Sequence, residues 1–319
     1  MDLTVGDDAE EMRLDRFVRK TLGPIGQGVL ERQLREGKIR LDGAKVKSNT
    51  RLRPGQILSY PDMLFAAGVP DHLTSPAPMV IDQQTALSEV MDMVVAEHKD
   101  WLALNKVAGL AVQGGSQTRR HIDGLLQAAY PDARPKLVHR LDKDTTGLLL
   151  VARHDSAARA LTAEFAGKMM QKVYLALVVG DPGTAGRIVA PLRKTAGKGA
   201  EKMVVDYELG QSACTEFQRL GKAGPISLVA LKPITGRTHQ LRVHMADTGT
   251  PILGDGKYAG AAAHIGNFSR QLHLHARFLR LSDGTTIAAD LSPHFKAAVD
   301  MAGLADKLPD VMSDIGVKK

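Results

Sequence analysis

The order of apolar and polar residues predicts an α+β protein with a mixed, mostly antiparallel central sheet, preceded by a small α/β unit. Two observations support this fold class. From about residue 85 to residue 293, strand-like and helix-like segments are mixed without the regular strand–helix–strand rhythm of a parallel sheet. The first 60 residues instead contain two short helical patterns and a hairpin signal. A chain of 319 residues is long enough for roughly two domains.

The composition is that of an ordinary globular protein, with 44% hydrophobic and 24% charged residues. Its one cysteine, Cys214, cannot form an internal disulfide, which fits a reducing compartment. The N-terminal MDLTVGDDAEE lacks the apolar segment of a signal peptide, and no apolar run approaches the ~20 residues that cross a bilayer. We therefore expect a cytoplasmic protein without a membrane partner.

Positive charge is concentrated near the N-terminus. Between Met12 and Arg53 there are twelve basic and four acidic residues, whereas the net charge of the whole chain is +7. This concentration favours a polyanionic partner, nucleic acid in particular, over the alternative of an ordinary solvated helix face.

Residues 1–60 are predicted to form a compact unit. The segment MRLDRFVRKTL spaces Leu14, Phe17 and Val18 as in a helix, and VLERQLREG is a second helix that ends at Gly37. KIRLDGAKV is predicted to form two strands joined around Asp42-Gly43. The candidate RNA-contacting residues of this unit are Arg13, Arg16, Arg32, Arg35, Lys38 and Arg40.

The RLDRF segment, together with EGKIRLDGAKV and RLRPGQIL, resembles the S4-like RNA-binding domain over about fifty residues. The GPIGQG segment departs from that family, which usually has a Ser-Arg-rich helix start there. Residues 61–85, which include Pro61, Pro70, Pro76 and Pro78, are predicted to be a linker. Residues 86–319 then form the second domain.

The stretch HRLDKDTTGLLLVA places a cluster of charge directly before an apolar strand. A carboxylate at the start of a buried strand is held rigidly and is partly desolvated, which suits attack on an electron-poor carbon. Asp142 is therefore a candidate reactive group. The alternative is that Asp142 only caps a turn and that Arg140 is an ordinary surface residue.

The segment LKPITGRTHQLRVHM combines a glycine turn with alternating polar and apolar residues. The alternation predicts a strand with Gln240, Arg242 and His244 on one face. We expect Arg242 to form an ion pair with Asp142, which favours the charged carboxylate. A purely structural salt bridge is the alternative.

HRLDKDTTGLLLVA and GRTHQLRVHMADTGTPILGD resemble the RNA pseudouridine synthases of the RluA-type family, which modifies ribosomal and transfer RNA. ALNKVAGLAV, KVYLALV and LHLHARFL match further family motifs in the same order, so the resemblance extends to about Pro293. One departure is Val107, where the family usually has a proline.

The resemblance implies roles for individual residues. Asp142 matches the catalytic aspartate, Tyr174 an active-site tyrosine that stacks on the base, and Arg242 the basic partner of the aspartate. Arg140 matches a residue that fills the gap left by the target nucleotide, and Leu274 an apolar residue beside the uracil. The remaining residues of this region that we expect to contact RNA are His139, Arg237, His239 and Gln240.

The implied reaction exchanges the ribose C1′–N1 bond of uridine for a C1′–C5 bond without net redox change, so no cofactor is expected. His273 and His275 lack carboxylate or cysteine partners at metal-site spacing, so no metal is expected. The residues do not choose among attack of Asp142 at C1′, addition at C6 and stabilisation of an intermediate. Large-subunit ribosomal RNA is the expected substrate of a monomeric enzyme. Transfer RNA, a non-catalytic RNA-binding module and a metallohydrolase are the alternatives.

Overall fold

A computed structural model describes residues 1–23, 25–61, 81–114, 118, 120–195, 202–312 and 315, with Gln27 described by its backbone only. These residues fall into two compact units. The first contains residues 1–61 and 118, and the second contains residues 81–114 and those from 120 onward. Most of the expected linker (residues 62–80), Lys198 and most of the C-terminal DIGVKK lie outside the described residues.

The first unit is a three-stranded antiparallel sheet, in the order β1-β3-β2, with two helices. Its elements are β1 (Asp2–Thr4), α1 (Leu14–Thr21), α2 (Gln27–Glu36), β2 (Arg40–Leu41) and β3 (Ile57–Ser59), with a 3₁₀ turn at Asp7–Ala9. Leu14, Phe17 and Val18 are buried on one stripe of α1, as their helical spacing predicts. Gly37 ends α2 with φ +73°, and its N–H bonds to the last carbonyls of the helix.

The hairpin expected in KIRLDGAKV is only partly present. Asp42 and Gly43 have φ values of +50° and +75°, as a tight turn requires, and Leu41 pairs with Ala44. No strand of the described residues continues from Ala44, however, and β2 pairs with β3 instead. The carboxylate of Asp42 accepts hydrogen bonds from Gln56 and from the Ile57 N–H, so the turn is anchored on β3.

The second unit contains a ten-stranded sheet and a separate β10-β11 hairpin. The main strand order is β4-β5-β7-β14-β8-β13-β12-β9, with β6 beside β7 and β15 beside β14. Only the β7–β14 pair among the described strands is parallel, which confirms the expected mixed, mostly antiparallel sheet. The strands are β4 (Val94–Glu97), β5 (Trp101–Lys106), β6 (Lys136–Leu137), β7 (Thr146–Ala152), β8 (Gln171–Val179), β9 (Ala185–Val189), β10 (Leu192–Thr195), β11 (Lys202–Val205), β12 (Cys214–Ala223), β13 (Ile226–Pro233), β14 (Leu274–Arg280) and β15 (Thr286–Ala288).

The strand that follows Asp142 is β7, which lies inside the sheet between β5 and β14. Every residue of β7 is buried, because β5 and β14 pair on its two sides and helices cover it. Gly147 has φ +100°, and a Cβ there would lie 2.3 Å from the Ala276 carbonyl oxygen. Only glycine lets β7 approach β14 this closely, so the start of β7 is fixed against a second strand.

The helices of the second unit pack on the sheet through apolar residues. They are α3 (Gln83–Met91), α4 (Ile122–Ala129), α5 (Asp155–Ala166), α6 (Gln240–Asp247), α7 (Gly256–Ala259) and α8 (Pro293–Met301), with 3₁₀ turns at Gly260–Ala263 and Ala305–Lys307. Helix α3 begins within the segment expected to be a linker, with the Asp82 side chain as its N-cap. The longest described helix has 12 residues, so none of the described helices could cross a membrane.

The main error of the sequence prediction concerns LRVHMADTG. This segment is the helix α6 rather than a strand. Gln240, Arg242 and His244 therefore do not share a strand face: Gln240 and His244 both bond to Thr215 Oγ1 on β12, whereas Arg242 bonds to Asp255.

Candidate active site

Asp142 lies in the turn that leads into β7. The Thr145 N–H donates to the Asp142 carbonyl at 3.2 Å, and Thr146 then enters the strand. The Asp142 side chain is 19% exposed. It lines two clefts of the second unit, which places its carboxylate where they meet.

The first cleft, called the Tyr174 cleft, has a volume of about 590 Å³. This is within the range of small-molecule sites, roughly 300–1,000 Å³. Tyr174 on β8 and Leu274 at the start of β14 provide aromatic and apolar surface beside Asp142. Burial, together with the charge of Asp142, raises the pKa of Tyr174, so its hydroxyl stays protonated at neutral pH.

Arg140 and His139 occupy the same cleft with different surroundings. Arg140 is exposed, and no described residue forms a hydrogen bond or ion pair with its guanidinium. The His139 ring stacks on Phe165 with centroids 4.4 Å apart, and its Nε2 accepts from the Leu150 N–H at 2.8 Å. Burial and the charge of Lys172 lower the pKa of His139 to about 3, so the ring is neutral. His139 therefore supports the cleft wall, while Arg140 remains available for a ligand.

Arg242 is not paired with Asp142, contrary to the sequence expectation. Its Nε and Nη2 donate to the two carboxylate oxygens of Asp255 at 2.8 and 2.6 Å, and both side chains are buried. Burial alone would lower the pKa of Arg242, but the hydrogen bonds of Asp255 and the charges of Asp255 and Asp142 raise it. The expected pairing failed because a second carboxylate, on the loop after α6, lies closer to the guanidinium.

The Asp255 pairing leaves part of the guanidinium unused. Arg242 has five N–H donors, and no described residue accepts from its Nη1. Arg242 lines both clefts with Asp142, and its guanidinium lies 5.2 Å from the ring centroid of Tyr258. Asp255 and Tyr258 were missed in the sequence. The only signal was a carboxylate and a tyrosine three residues apart in LGDGKYAG, directly after the helix that carries Arg242.

His239 connects this group to Asp142. Its Nε2 lies 3.8 Å from Asp142 Oδ1, and its Nδ1 lies 2.5 Å from the Tyr258 hydroxyl. The backbone of His239 has φ +52° at the N-terminal end of α6. Such a conformation is uncommon for a residue other than glycine, so the surrounding contacts must hold it.

Gln240 lines the Tyr174 cleft, but its side-chain amide is bonded within the protein. It is buried, and its amide accepts from Thr235 Oγ1 and the Arg237 N–H and donates to the Cys214 carbonyl and Thr215 Oγ1. These hydrogen bonds of Gln240 stabilise the turn before α6.

Arg237 is exposed in the Tyr174 cleft, with its Nε bonded to the Ser212 carbonyl.

A buried lysine ties the Asp142 turn to a neighbouring loop. Lys106 Nζ donates to the carbonyls of Val107, Leu110 and Lys143 at 2.8–2.9 Å. Burial lowers the pKa of Lys106 to about 8, although the charges of Asp144 and Asp142 oppose this shift. Because Lys143 follows Asp142 directly, these hydrogen bonds restrain the position of the carboxylate.

The second cleft, called the Arg270 cleft, has a volume of about 490 Å³ and lies beside Asp142, His239 and Arg242. Its lining also contains the cationic side chains Lys143, Lys257 and Arg270, together with one further carboxylate, Asp144. The cleft therefore offers positive charge next to Asp142, which suits an anionic group.

The basic residues of the first unit are mostly at its surface. Arg16, Arg32, Arg35, Lys38 and Arg40 are exposed. Arg13 instead forms a bidentate pair with Asp15, and Arg40 bonds to the carbonyls of Gly37 and Gly43. Within the described residues no group of three or more histidine, cysteine, aspartate or glutamate side chains could hold a metal ion.

Comparison with known proteins gives consistent matches. A family model described as RNA pseudouridylate synthase matches residues 100–247, which include Asp142, Tyr174 and Arg242. The ribosomal large subunit pseudouridine synthase C of Vibrio vulnificus is 34% identical in an alignment of 290 residues, and the match covers 88% of each chain. The protein of the same name from Vibrio cholerae is 36% identical in an alignment of 282 residues, and the match covers 86% of each chain.

Two solved structures match the fold of most of this chain. Human RNA pseudouridylate synthase domain containing 4 superimposes with a TM-score of 0.58 and 27% identity. The match covers 69% of this chain and 96% of the human chain. Human RNA pseudouridylate synthase domain containing 1 matches with a TM-score of 0.53 and 25% identity, over 70% and 91% of the two chains.

Proposed function

This chain belongs to the RNA pseudouridine synthase family, and we propose that it isomerises specific uridines of large-subunit ribosomal RNA with Asp142 as the reacting carboxylate. The position of Asp142 at the junction of two clefts is the observation that carries this proposal. The Tyr174 cleft offers an aromatic and an apolar side chain in addition to cations such as Arg140 and Arg237, whereas the described lining of the Arg270 cleft offers cations without a tyrosine or phenylalanine. A nucleotide has the same division, because its base is planar and apolar on its faces and its phosphate is anionic.

The bonds of the reaction determine what the site must provide. The C1′–N1 bond of uridine breaks, a C1′–C5 bond forms, the C5 proton leaves and N1 gains a proton. The balance needs no redox partner and no cofactor. We place the uracil in the Tyr174 cleft against Tyr174 and Leu274, with the ribose at Asp142. Stacking of a base on an aromatic ring contributes ~1–3 kcal/mol.

A uridine within stacked RNA must be flipped out before Asp142 can reach it, at a cost of a few kcal/mol. Arg140 is two residues from Asp142, is exposed and has no partner among the described residues. We propose that its side chain takes the place of the flipped base in the stack. We place the phosphates that flank the flipped nucleotide in the Arg270 cleft, beside Lys143 and Arg270.

The first unit is proposed to be an S4-like RNA-binding domain of residues 1–60, joined by a linker to a catalytic domain that includes α3 and so begins before residue 86. Its two helices, three-stranded sheet and exposed basic residues support this proposal. The set that we propose to contact RNA there is Arg13, Arg16, Arg32, Arg35, Lys38 and Arg40. In the second unit the proposed RNA contacts are Arg140, Arg237 and Leu274. His139 Nε2 and the Gln240 amide are bonded within the protein, and His239 lies between Tyr258 and Asp142, so these three are not proposed as RNA contacts.

Ribosomal RNA is preferred over transfer RNA because the Vibrio relatives are named as large-subunit enzymes. A cytoplasmic location and a monomeric state stay predictions.

The substrate is tested with transcripts of large-subunit ribosomal RNA and of transfer RNA that carry tritium at C5 of uridine. The tritium is released because C5 forms the new bond to ribose. Release from the ribosomal transcript alone supports the proposal, and release only from transfer RNA contradicts it.

A further inference from the structure

The contact between His239 and Tyr258 fixes where the imidazole proton lies. The two atoms, Nδ1 and the hydroxyl oxygen, are 2.5 Å apart. If Nδ1 carried the proton, the lone pair of Nε2 would face the Asp142 carboxylate at 3.8 Å, which is unfavourable. If the Tyr258 hydroxyl donates to Nδ1, the proton is on Nε2 and faces the carboxylate. The second arrangement satisfies both contacts.

A second hydrogen bond to the Tyr258 oxygen favours donation of its hydroxyl proton to His239. The Met203 N–H donates to the Tyr258 oxygen at 3.3 Å, which occupies a lone pair and leaves the hydroxyl proton for His239. The ring of Tyr258 meets the His239 ring edge-on and lies beneath the Arg242 guanidinium. The ring is therefore positioned by three contacts other than its hydrogen bond to His239.

We infer that Tyr258 and His239 form a positioning pair for Asp142, in which Tyr258 selects the imidazole tautomer and His239 Nε2–H holds one carboxylate oxygen. The other oxygen is then free for the substrate. At 3.8 Å the Nε2–Oδ1 separation is longer than a hydrogen bond, so the contact closes when the substrate binds. This inference rests on the proposed role of Asp142. Both residues act through Asp142 and are positioning residues.

The charges around His239 favour the neutral imidazole that the inference requires. Burial lowers the pKa of His239, and the positive charges of Arg242 and Lys257 lower it further. The negative charges of Asp142 and Asp255 oppose this shift without reversing it. At neutral pH the ring therefore has one proton, and its position depends on Tyr258.

Tyr258→Phe removes the hydrogen bond to Nδ1, so that only the Asp142 oxygen, 3.8 Å from Nε2, still favours the tautomer with the proton on Nε2. We expect kcat to fall about tenfold at pH 8, as for the loss of roughly one hydrogen bond, with little change in KM. As pH falls through the lowered pKa of His239, the ratio of wild-type to variant kcat should shrink, because a protonated imidazole donates from both nitrogens whether or not Tyr258 is present. Tyr207→Phe, at a tyrosine that is 75% exposed, is the matched control and should change nothing.

A double-mutant cycle separates positioning from a structural role. In His239→Gln the side-chain amide supplies an N–H donor that has no tautomer, so His239→Gln should retain more activity than His239→Ala. Adding Tyr258→Phe to His239→Gln should then cost less than about twofold. A structural role for Tyr258, such as its bond to Met203, would cost the same factor in both backgrounds, and that result would overturn the inference.

Nitrogen-15 spectra of the histidine rings give a readout independent of activity, with the His239 signals identified by their absence in His239→Gln. We expect an unprotonated Nδ1 and a protonated Nε2 in the wild type and a mixture in Tyr258→Phe. A protonated Nδ1 in the wild type would overturn the inference. The failure of this inference can be told apart from the failure of the proposed function. If the proposed function is wrong, Asp142→Asn still turns over substrate, whatever the tautomer of His239.

Discussion

Two arginine–aspartate pairs with the same hydrogen bonds have different surroundings. Arg13 and Asp15 belong to the first unit, and Arg242 and Asp255 to the second. In both, Nε and Nη2 donate to the two carboxylate oxygens, at 3.1 and 2.7 Å in the first pair and 2.8 and 2.6 Å in the second. The side chains of the first pair are 48% and 11% exposed, whereas those of the second are 7% and 0% exposed.

The difference shows that geometry alone does not determine what an ion pair does. An exposed pair competes with water and contributes ~0–1 kcal/mol. Removal of one partner from a buried pair leaves an uncompensated charge and costs ~3–5 kcal/mol. Because Arg13 is half-exposed, its pair with the buried Asp15 contributes little to the fold of the first unit, while the fully buried pair fixes the position of a cation beside Asp142.

Asp255→Asn should have the largest effect of the variants that test this comparison. The amide keeps the shape of the carboxylate but not its charge, so Arg242 loses its buried counterion. We expect the free energy of unfolding to fall by ~3 kcal/mol and turnover to fall ~100-fold, because a small displacement of a group in the site is costly. Denaturant unfolding measures the loss of stability, and tritium release measures the loss of turnover.

The matched control is Asp15→Asn, which should change the free energy of unfolding by less than ~1 kcal/mol. It should leave kcat unchanged. Equal losses of stability in the two variants would show that burial does not distinguish these pairs.

Lys106 extends the comparison to a buried cation that is held by carbonyls alone. Its pKa is about 8 in the folded protein, below the ordinary lysine value of 10.5, so between these values the unfolded chain binds more protons. The free energy of unfolding of the wild type should therefore increase as pH rises from 8 to 10. Lys106→Met lacks this increase, so the free energy of unfolding of the wild type minus that of the variant should grow with pH. Parallel stability curves in urea at pH 8, 9 and 10 would contradict the shift.

Exposed cations of the first unit should contribute to RNA binding and not to the stability of the fold. Replacement of Arg32 and Arg35 by glutamine should change the free energy of unfolding by less than ~0.5 kcal/mol per residue. The slope of log affinity against log salt should decrease by ~0.7 for each lost phosphate contact, measured by RNA binding between 50 and 200 mM salt. Glutamine at the exposed Lys222 and Lys296 is the control with the same change of charge. An equal change of slope in that control would contradict a specific RNA surface on the first unit.

Sequence patterns predicted the elements whose signals are local. The end of α2 at Gly37 and the buried strand β7 follow from one glycine and one apolar run. Helix α6 was mistaken for a strand because all of Gln240–Met245 is buried, so polar and apolar residues alternate without a solvated face. The polar side chains there are satisfied by β12, by the Ala190 carbonyl and by Asp255, which the local sequence cannot reveal.

The sequence predicted several residues that line the candidate site but not which of them bond to one another. Asp142, Tyr174, Arg140 and Leu274 do line one cleft. The sequence predicted Asp142 alone as the partner of Arg242. The actual partner, Asp255, depends on how the loop after α6 folds back, which the local sequence does not reveal.

The central claim is that the Asp142 carboxylate carries the chemistry while other residues bind the RNA. Asp142→Asn in the full-length protein tests it most directly, because the amide keeps the shape of the side chain and removes its nucleophilic charge. Tritium release from C5-labelled ribosomal transcript should be abolished, and the dissociation constant for that transcript should stay within a few fold of the wild-type value. Continued tritium release by a purified Asp142→Asn protein would contradict the claim.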